Sequence, residues 1–153
     1  MPWAGARRRP RRRQRGEERG VDPISAGFDG VAVNRTFGFE RIRAGVAGAA
    51  IRLRPTAALA QEYGVVHGGV IAALADTAAV QCVLPALAAG ERMTSIEFKL
   101  NFTAGAKPDG EPLVATARPA KIGRTVAVVQ VDVHQDATLV ATGLFTYLRL
   151  RAV

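Results

Sequence analysis

Residues 64 to 80 read Gly64-Val-Val-His-Gly-Gly-Val-Ile-Ala-Ala-Leu-Ala-Asp-Thr-Ala-Ala-Val, and this stretch limits the fold more than any other. From Val70 to Val80 every residue is apolar or small except Asp76 and Thr77. A helix that is hydrophobic all round has no face to offer water and must be buried on every side. These eleven residues fall well short of a membrane span, so the stretch is expected to be the core helix of a soluble domain. One carboxylate, Asp76, stands inside it, and an ionised carboxylate is costly to bury unless it has partners or a use. At the helix start, Gly68 and Gly69 leave the free backbone amides unshielded, a ready site for an oxygen carrying negative charge. An acid in an apolar helix and a bare helix N-terminus together suggest chemistry on a carbonyl compound.

The two features cannot easily serve one site within one chain. Asp76 lies nine residues beyond His67, which is about two and a half turns, roughly 13 Å along the axis and on the opposite side. Either they are unrelated, or two copies of the helix lie antiparallel and each site draws half its parts from each copy.

Composition narrows the class. A chain of 153 residues is one domain with room for a proper core. The single cysteine, Cys82, excludes an internal disulfide and suits a reducing compartment. His67, His134 and that cysteine have no zinc-site spacing, so no metal is expected. No Walker loop, Gly-x-Ser-x-Gly elbow or dinucleotide fingerprint is present, and no cofactor is expected. The net charge of +8 is concentrated at one end: residues 1–20 hold eight Arg and two Glu, leaving only +2 for the rest. That arm has the charge to touch nucleic acid, but it is read as a solvated disordered tail, with 21–153 as the folded domain. It has no apolar run and is no secretory signal.

Along the chain, Val21 to Thr36 reads as a loop with one helical turn. Phe37–Ile42 and Ala47–Arg54 read as two strands joined near residues 43–45. The central helix follows, bent or ended by Pro85. Then come strands over Thr94–Phe102, Leu113–Arg118 (ended by Pro119), Thr125–His134 and Leu139–Leu150, joined by short turns that suit antiparallel neighbours. In Thr94–Phe102, simple alternation sends Thr94, Ile96, Phe98, Leu100 and Phe102 to the helix side, and Ser95, Glu97, Lys99 and Asn101 outward. Two strands, one buried helix and four strands give an α+β fold, an antiparallel sheet wrapped round one long central helix. Strand 125–134 carries valines on both faces, so its outer face is expected to meet another subunit.

This order is that of the hotdog fold. Gly64-x-x-His67-Gly68-Gly69 followed by Leu74-Ala75-Asp76 resembles the phenylacetic-acid-degradation (PaaI-like) branch of hotdog acyl-CoA thioesterases, within the 4-hydroxybenzoyl-CoA thioesterase superfamily. The resemblance covers about residues 28 to 150. It implies that Asp76 is general base or nucleophile, that the Gly68 amide polarises the thioester carbonyl, and that Gln61 positions the thioester or the water. It also implies a hydroxyl at the start of the strand after the helix. The family pattern points to Ser95 and the alternation to Thr94, so both stand. His67 caps or orients the loop and, with Gly69, adjoins the substrate; Lys121 and Arg124 are candidates for the CoA nucleotide.

The resulting expectation is a soluble, cytoplasmic thioester hydrolase that converts acyl-CoA to free acid and CoA. It would be a homodimer with shared sites, assembled as a dimer of dimers (a homotetramer), with neither membrane nor nucleic acid as partner. A non-catalytic acyl-CoA-binding hotdog regulator is the alternative, and a hotdog hydratase or dehydratase comes third.

Overall fold

The computed structural model describes residues 27–151, so the expectations for the basic arm over residues 1–20 lie outside the described residues. Two short helices open the described chain, α1 (Gly27–Gly30) and α2 (Ala32–Phe37). Strands β1 (Phe39–Arg43) and β2 (Ala49–Leu53) follow, then the long helix α3 (Gly68–Val83). Four strands complete it: β3 (Arg92–Phe102), β4 (Leu113–Ile122), β5 (Val126–Gln135) and β6 (Thr138–Leu150). All pairings are antiparallel, in one six-stranded sheet of order β1-β2-β4-β5-β6-β3.

The helix lies across β2, β4 and β5. Leu74, Ala75, Ala78, Ala79 and Cys82 are fully buried against Ile51, Leu53, Ala115, Val129 and Val131. Small residues on the helix let it approach the sheet closely, and the branched side chains of the strands fill the space between. With the 3₁₀ turn Leu84–Ala86 that continues it, the helix forms a 19-residue apolar segment long enough to cross a membrane, but more than half of it is buried inside the fold. Pro85 ends the regular helix. It has no N–H to give the carbonyl of Gln81, and that carbonyl accepts from Gly45 N–H instead, at 3.3 Å. The helix end is thereby tied to the β1–β2 turn.

Three expectations need correction. The segment before β1 holds two short helices where a loop with one turn was expected. Asn34 is buried and donates from Nδ2 to the Phe28 carbonyl at 2.9 Å, which ties α2 to α1. Phe37 belongs to α2 rather than to the first strand, because Gly38 takes the left-handed conformation (φ 68°) that stops a helix and lets the strand start one residue later. Pro119 does not end β4. The β2 partner runs out at the pair Ala49–Ala117, so beyond it β4 has lost a neighbour on that side and needs no ladder donor there. Pro119 still pairs with Val129 of β5, and the ladder slips by one residue between Pro119 and Lys121.

The strand after the helix also departs from simple alternation. Ser95 pairs with Tyr147, but Glu97 pairs with the next residue, Thr146, so Ile96 is an extra residue, a β-bulge. Downstream, Phe98, Leu100 and Phe102 pair with Phe145, Gly143 and Ala141, all on the helix side. Upstream of the bulge the phase is reversed, and Ser95 joins the helix side opposite Tyr147. Thr94 pairs with Leu148 and turns outward with it.

Candidate functional site

Asp76 sits at the middle of α3, where the helix passes over the end of β6. Tyr147, only 1% exposed, rises from the inner face of β6 and donates its hydroxyl to Asp76 Oδ1 at 2.7 Å. One carboxylate oxygen is thus held by a buried phenol. Burial pushes the carboxyl pKa above its usual range, and the Tyr147 hydrogen bond opposes that. Burial raises the phenol pKa as well, reinforced by the adjacent carboxylate, so Tyr147 remains a protonated donor.

These groups line a cavity of about 610 Å³. Its walls come from α1 and α2 (Phe28, Val33), the second half of α3 with its 3₁₀ extension (Val80, Leu84), and the start of β3 (Met93, Ser95). Ser95 reaches this wall through the bulge at Ile96, and Thr94 does not line the cavity. The arrangement is an apolar chamber with an acid, a phenol and an alcohol grouped at one end. It is chemically suited to taking a proton from water beside an apolar group.

Gln61, His67, Gly68 and Gly69 gather at the N-terminal end of α3. His67 is the N-cap: its Nδ1 accepts from Gly69 N–H at 2.9 Å, and its carbonyl accepts from Val70 N–H at 3.0 Å. This is the capping role, and it engages His67 and Gly69 with each other. No acceptor among the described residues takes the Gly68 N–H. Gly68 lines a second cavity of about 350 Å³ together with Gln61, Val65, Ile71 and Phe102. A Cβ on Gly68 would come within 3.3 Å of the Phe102 ring, so the bare backbone keeps that amide accessible. The Gln61 side-chain carbonyl turns back to accept from Tyr63 N–H.

Within one chain, then, the structure brings Asp76 and Ser95 together and brings Gln61 and Gly68 together, but keeps the two pairs on separate cavities. Lys121 and Arg124 are exposed near and in the β4–β5 turn, and neither lines either of these two cavities. That turn stands at the Asp76 end of the molecule. Arg149 joins it, through the Gly123 carbonyl at 2.9 Å, to the Ala86 carbonyl at 2.8 Å and to Glu91 at 2.6 Å.

Tyr147 is the residue that sequence reasoning missed. Its signal was present: alternation along Leu139–Leu150 puts it on the same face as Phe145, a polar atom among inward-facing apolar residues. Such a hydroxyl needs a buried partner, and Asp76 was the buried acid in want of one.

Comparison with known proteins agrees with this architecture. The profile of the Thioesterase superfamily matches residues 63–142, 80 of 153. A Deinococcus radiodurans protein, provisionally named an esterase, is 37% identical over 86 residues, or 56% of this chain and 55% of its own length. The chain spans about half the length of that relative. Among solved structures, AziG of S. sahachiroi matches with a TM-score of 0.75 at 25% identity, covering 79% of this chain and 98% of AziG. A thioesterase family protein from Silicibacter pomeroyi matches with 0.76 at 23% identity, covering 84% of this chain and 96% of its own. The PaaI protein of the E. coli phenylacetic acid degradation operon matches with 0.73 at 22% identity, covering 85% and 92%. The last two likenesses speak for the fold alone, and it is the hotdog: one antiparallel sheet wrapped round one long helix.

Proposed function

This chain belongs to the thioesterase superfamily, and from that premise we propose that it hydrolyses acyl-CoA thioesters to the free acid and CoA, at sites each built from two copies of the chain. The observation that carries the reading is Asp76: a half-buried carboxylate with one oxygen held by Tyr147, at the wall of an apolar cavity shared with Ser95. A carboxylate whose pKa is raised by burial is a better base, and with Oδ1 occupied by Tyr147 the other oxygen is left to act.

In this mechanism Asp76 takes a proton from water as the water oxygen adds to the thioester carbonyl carbon. The carbonyl oxygen becomes an oxyanion, stabilised by the Gly68 N–H of the partner subunit. Fixed amide donors in a water-poor site are often the largest single catalytic term. Collapse of the intermediate breaks the carbon–sulfur bond, and the proton held by Asp76 passes to the departing CoA sulfur. Ser95 and the partner subunit's Gln61 orient water and thioester.

Two features support the sharing of sites. The acid and the amide donor lie eight residues apart on α3, about 12 Å along its axis, on separate cavities. Also, β3 is an edge strand of the sheet. It leaves Phe98 and Phe102 on the helix side 51% and 54% exposed, apolar surface of the kind a second subunit covers. Antiparallel apposition of two α3 helices across a two-fold axis would bring each Asp76 to the other chain's Gly68.

Thiol release from a panel of aryl-, short- and long-chain acyl-CoAs tests the activity. No release from any of them, with tight binding retained, would refute it. Mixing tests the sharing. Asp76→Asn and Gly68→Val homodimers should each be nearly inactive, while co-refolding makes about half the dimers mixed, each with one intact site, so roughly a quarter of wild-type activity returns. No gain over the two parents, with mixed dimers verified by mass spectrometry, would place each site within one chain.

A further inference from the structure

The large cavity that Asp76 lines also holds an arginine where the strand pattern calls for an apolar side chain. Phe39 and Arg41 of β1 pair with Leu53 and Ile51, both fully buried, so Arg41 projects from the inner face of the sheet. Its guanidinium lies 5.4 Å from the centre of the Phe28 ring, and Nη1 makes a long contact of 3.4 Å with Gln81 Oε1. Among the described residues, ion pairs engage Arg52, Arg54, Arg118 and Arg149, and Arg41 takes part in none. Gln81 is 7% exposed within α3, and with its oxygen turned to Arg41 its Nε2 is a second donor at the same place. Both residues line the cavity with Asp76, and its wall also includes the apolar Val80, Leu84 and Met93.

We propose that this cavity selects acyl groups bearing an anionic oxygen group, a carboxylate in the simplest case, at the end remote from the thioester, and that Arg41 and Gln81 hold that group. The proposal rests on the hydrolytic reading above, which sets the thioester end at Asp76. A guanidinium stacked on a ring is pre-organised for planar recognition of a carboxylate. Its bonds to an ionised acceptor are roughly twice as strong as neutral ones. An acyl chain with an apolar terminus would instead leave the guanidinium and the amide without an acceptor. Asp76 and Gln81 are five residues apart on α3, about 7.5 Å along the axis. That separation suits medium-length chains such as adipoyl and suberoyl better than malonyl.

The test is equilibrium binding, by calorimetry, of adipoyl-CoA and hexanoyl-CoA to the Asp76→Asn protein, which holds the thioester uncleaved. Because Arg41 is exposed to solvent, the preference for adipoyl-CoA is expected to be about tenfold. Adding Arg41→Met, which keeps the aliphatic stem over Phe28, should bring the ratio close to one, while Arg41→Lys should retain part of it. Equal affinity of the two thioesters for the Arg41-containing protein would overturn the proposal. So would a preference that survives Arg41→Met, or one lost with Arg92→Met, the other arginine on the cavity wall. Since binding needs no turnover, a wild-type protein that cleaves nothing would sink the hydrolytic reading and leave this comparison to be decided separately.

Discussion

Replacing Tyr147 by Phe isolates one hydrogen bond. The ring stays in its buried place between β6 and α3, so packing is conserved, and what disappears is the hydroxyl 2.7 Å from Asp76 Oδ1. A hydrogen bond to a charged acceptor contributes about 1.5–3 kcal/mol, a factor of about 10 to 100 in an equilibrium constant. The phenol favours the ionised carboxylate and opposes the upward push of burial. Without it the carboxylate binds its proton more tightly by that factor, and the base is unavailable over a wider range of pH. The acid limb of kcat/KM should therefore move to higher pH. Below the limb the variant should be about 10- to 100-fold slower than wild type, and above it the two rates should converge. Thiol release across a pH series on one acyl-CoA measures this. A uniform drop at every pH, or an unmoved limb, would mean that Tyr147 does not act through the charge on Asp76.

Asp76→Asn should lower kcat by about 10²- to 10⁴-fold, the usual contribution of a positioned base. Because burial raises the carboxyl pKa in the folded state, the stability it contributes is fully present below the unfolded pKa and is lost as pH rises through the folded one. The Asn variant should accordingly melt higher than wild type at neutral pH, and the gap should close under acid, as followed by circular dichroism. Gly68→Val should reduce kcat by about 10²- to 10³-fold with little change in secondary structure, since a side chain there meets Phe102 and shields the amide donor. For Glu91, whose carboxyl is held below its usual range chiefly by Ala88 N–H and then by Arg149, the sign is reversed. Its contribution to stability is present above the unfolded pKa and is lost as pH falls through the folded one. Glu91→Gln should lower the melting temperature at neutral pH, with the deficit shrinking in acid.

The helix and the strand order were legible in the sequence because each rests on a pattern longer than any local irregularity. A long apolar run too short for a membrane span reads as a core helix, and a one-residue error at a strand end does not change which strands exist. What escaped was phase and partner. Nothing in Thr94-Ser-Ile-Glu marks Ile96 as an extra residue, since the bulge is imposed by pairing with β6. Sequence alternation therefore favoured Thr94, whereas the structure turns Ser95 inward. Pro119 was misread for a related reason: a proline ends a strand only where its N–H was needed, and that depends on how far the neighbouring strand extends. Asp76 and Gly68 stood out from the sequence because each breaks its surroundings chemically. Tyr147 and Arg41 each needed a partner distant in sequence to acquire meaning.

The extra residue at Ile96 makes β3 two strips of opposite phase, and this loosens the constraints on both. One strip presents Met93 and Ser95 to the cavity, and the other presents Phe98, Leu100 and Phe102 beside the open edge. Deleting Ile96 would restore continuous alternation and still leave Ser95 inward, because Ser95 and Phe98 would then stand two positions apart, the spacing of residues on one face. Straightening the strand with Ile96 retained would exchange Ser95 for Thr94 at the cavity wall. Which hydroxyl shares the cavity with Asp76 is thus decided by whether the strand bulges at Ile96, so a change in how β3 pairs with β6 can exchange the alcohol at the site without substituting either residue.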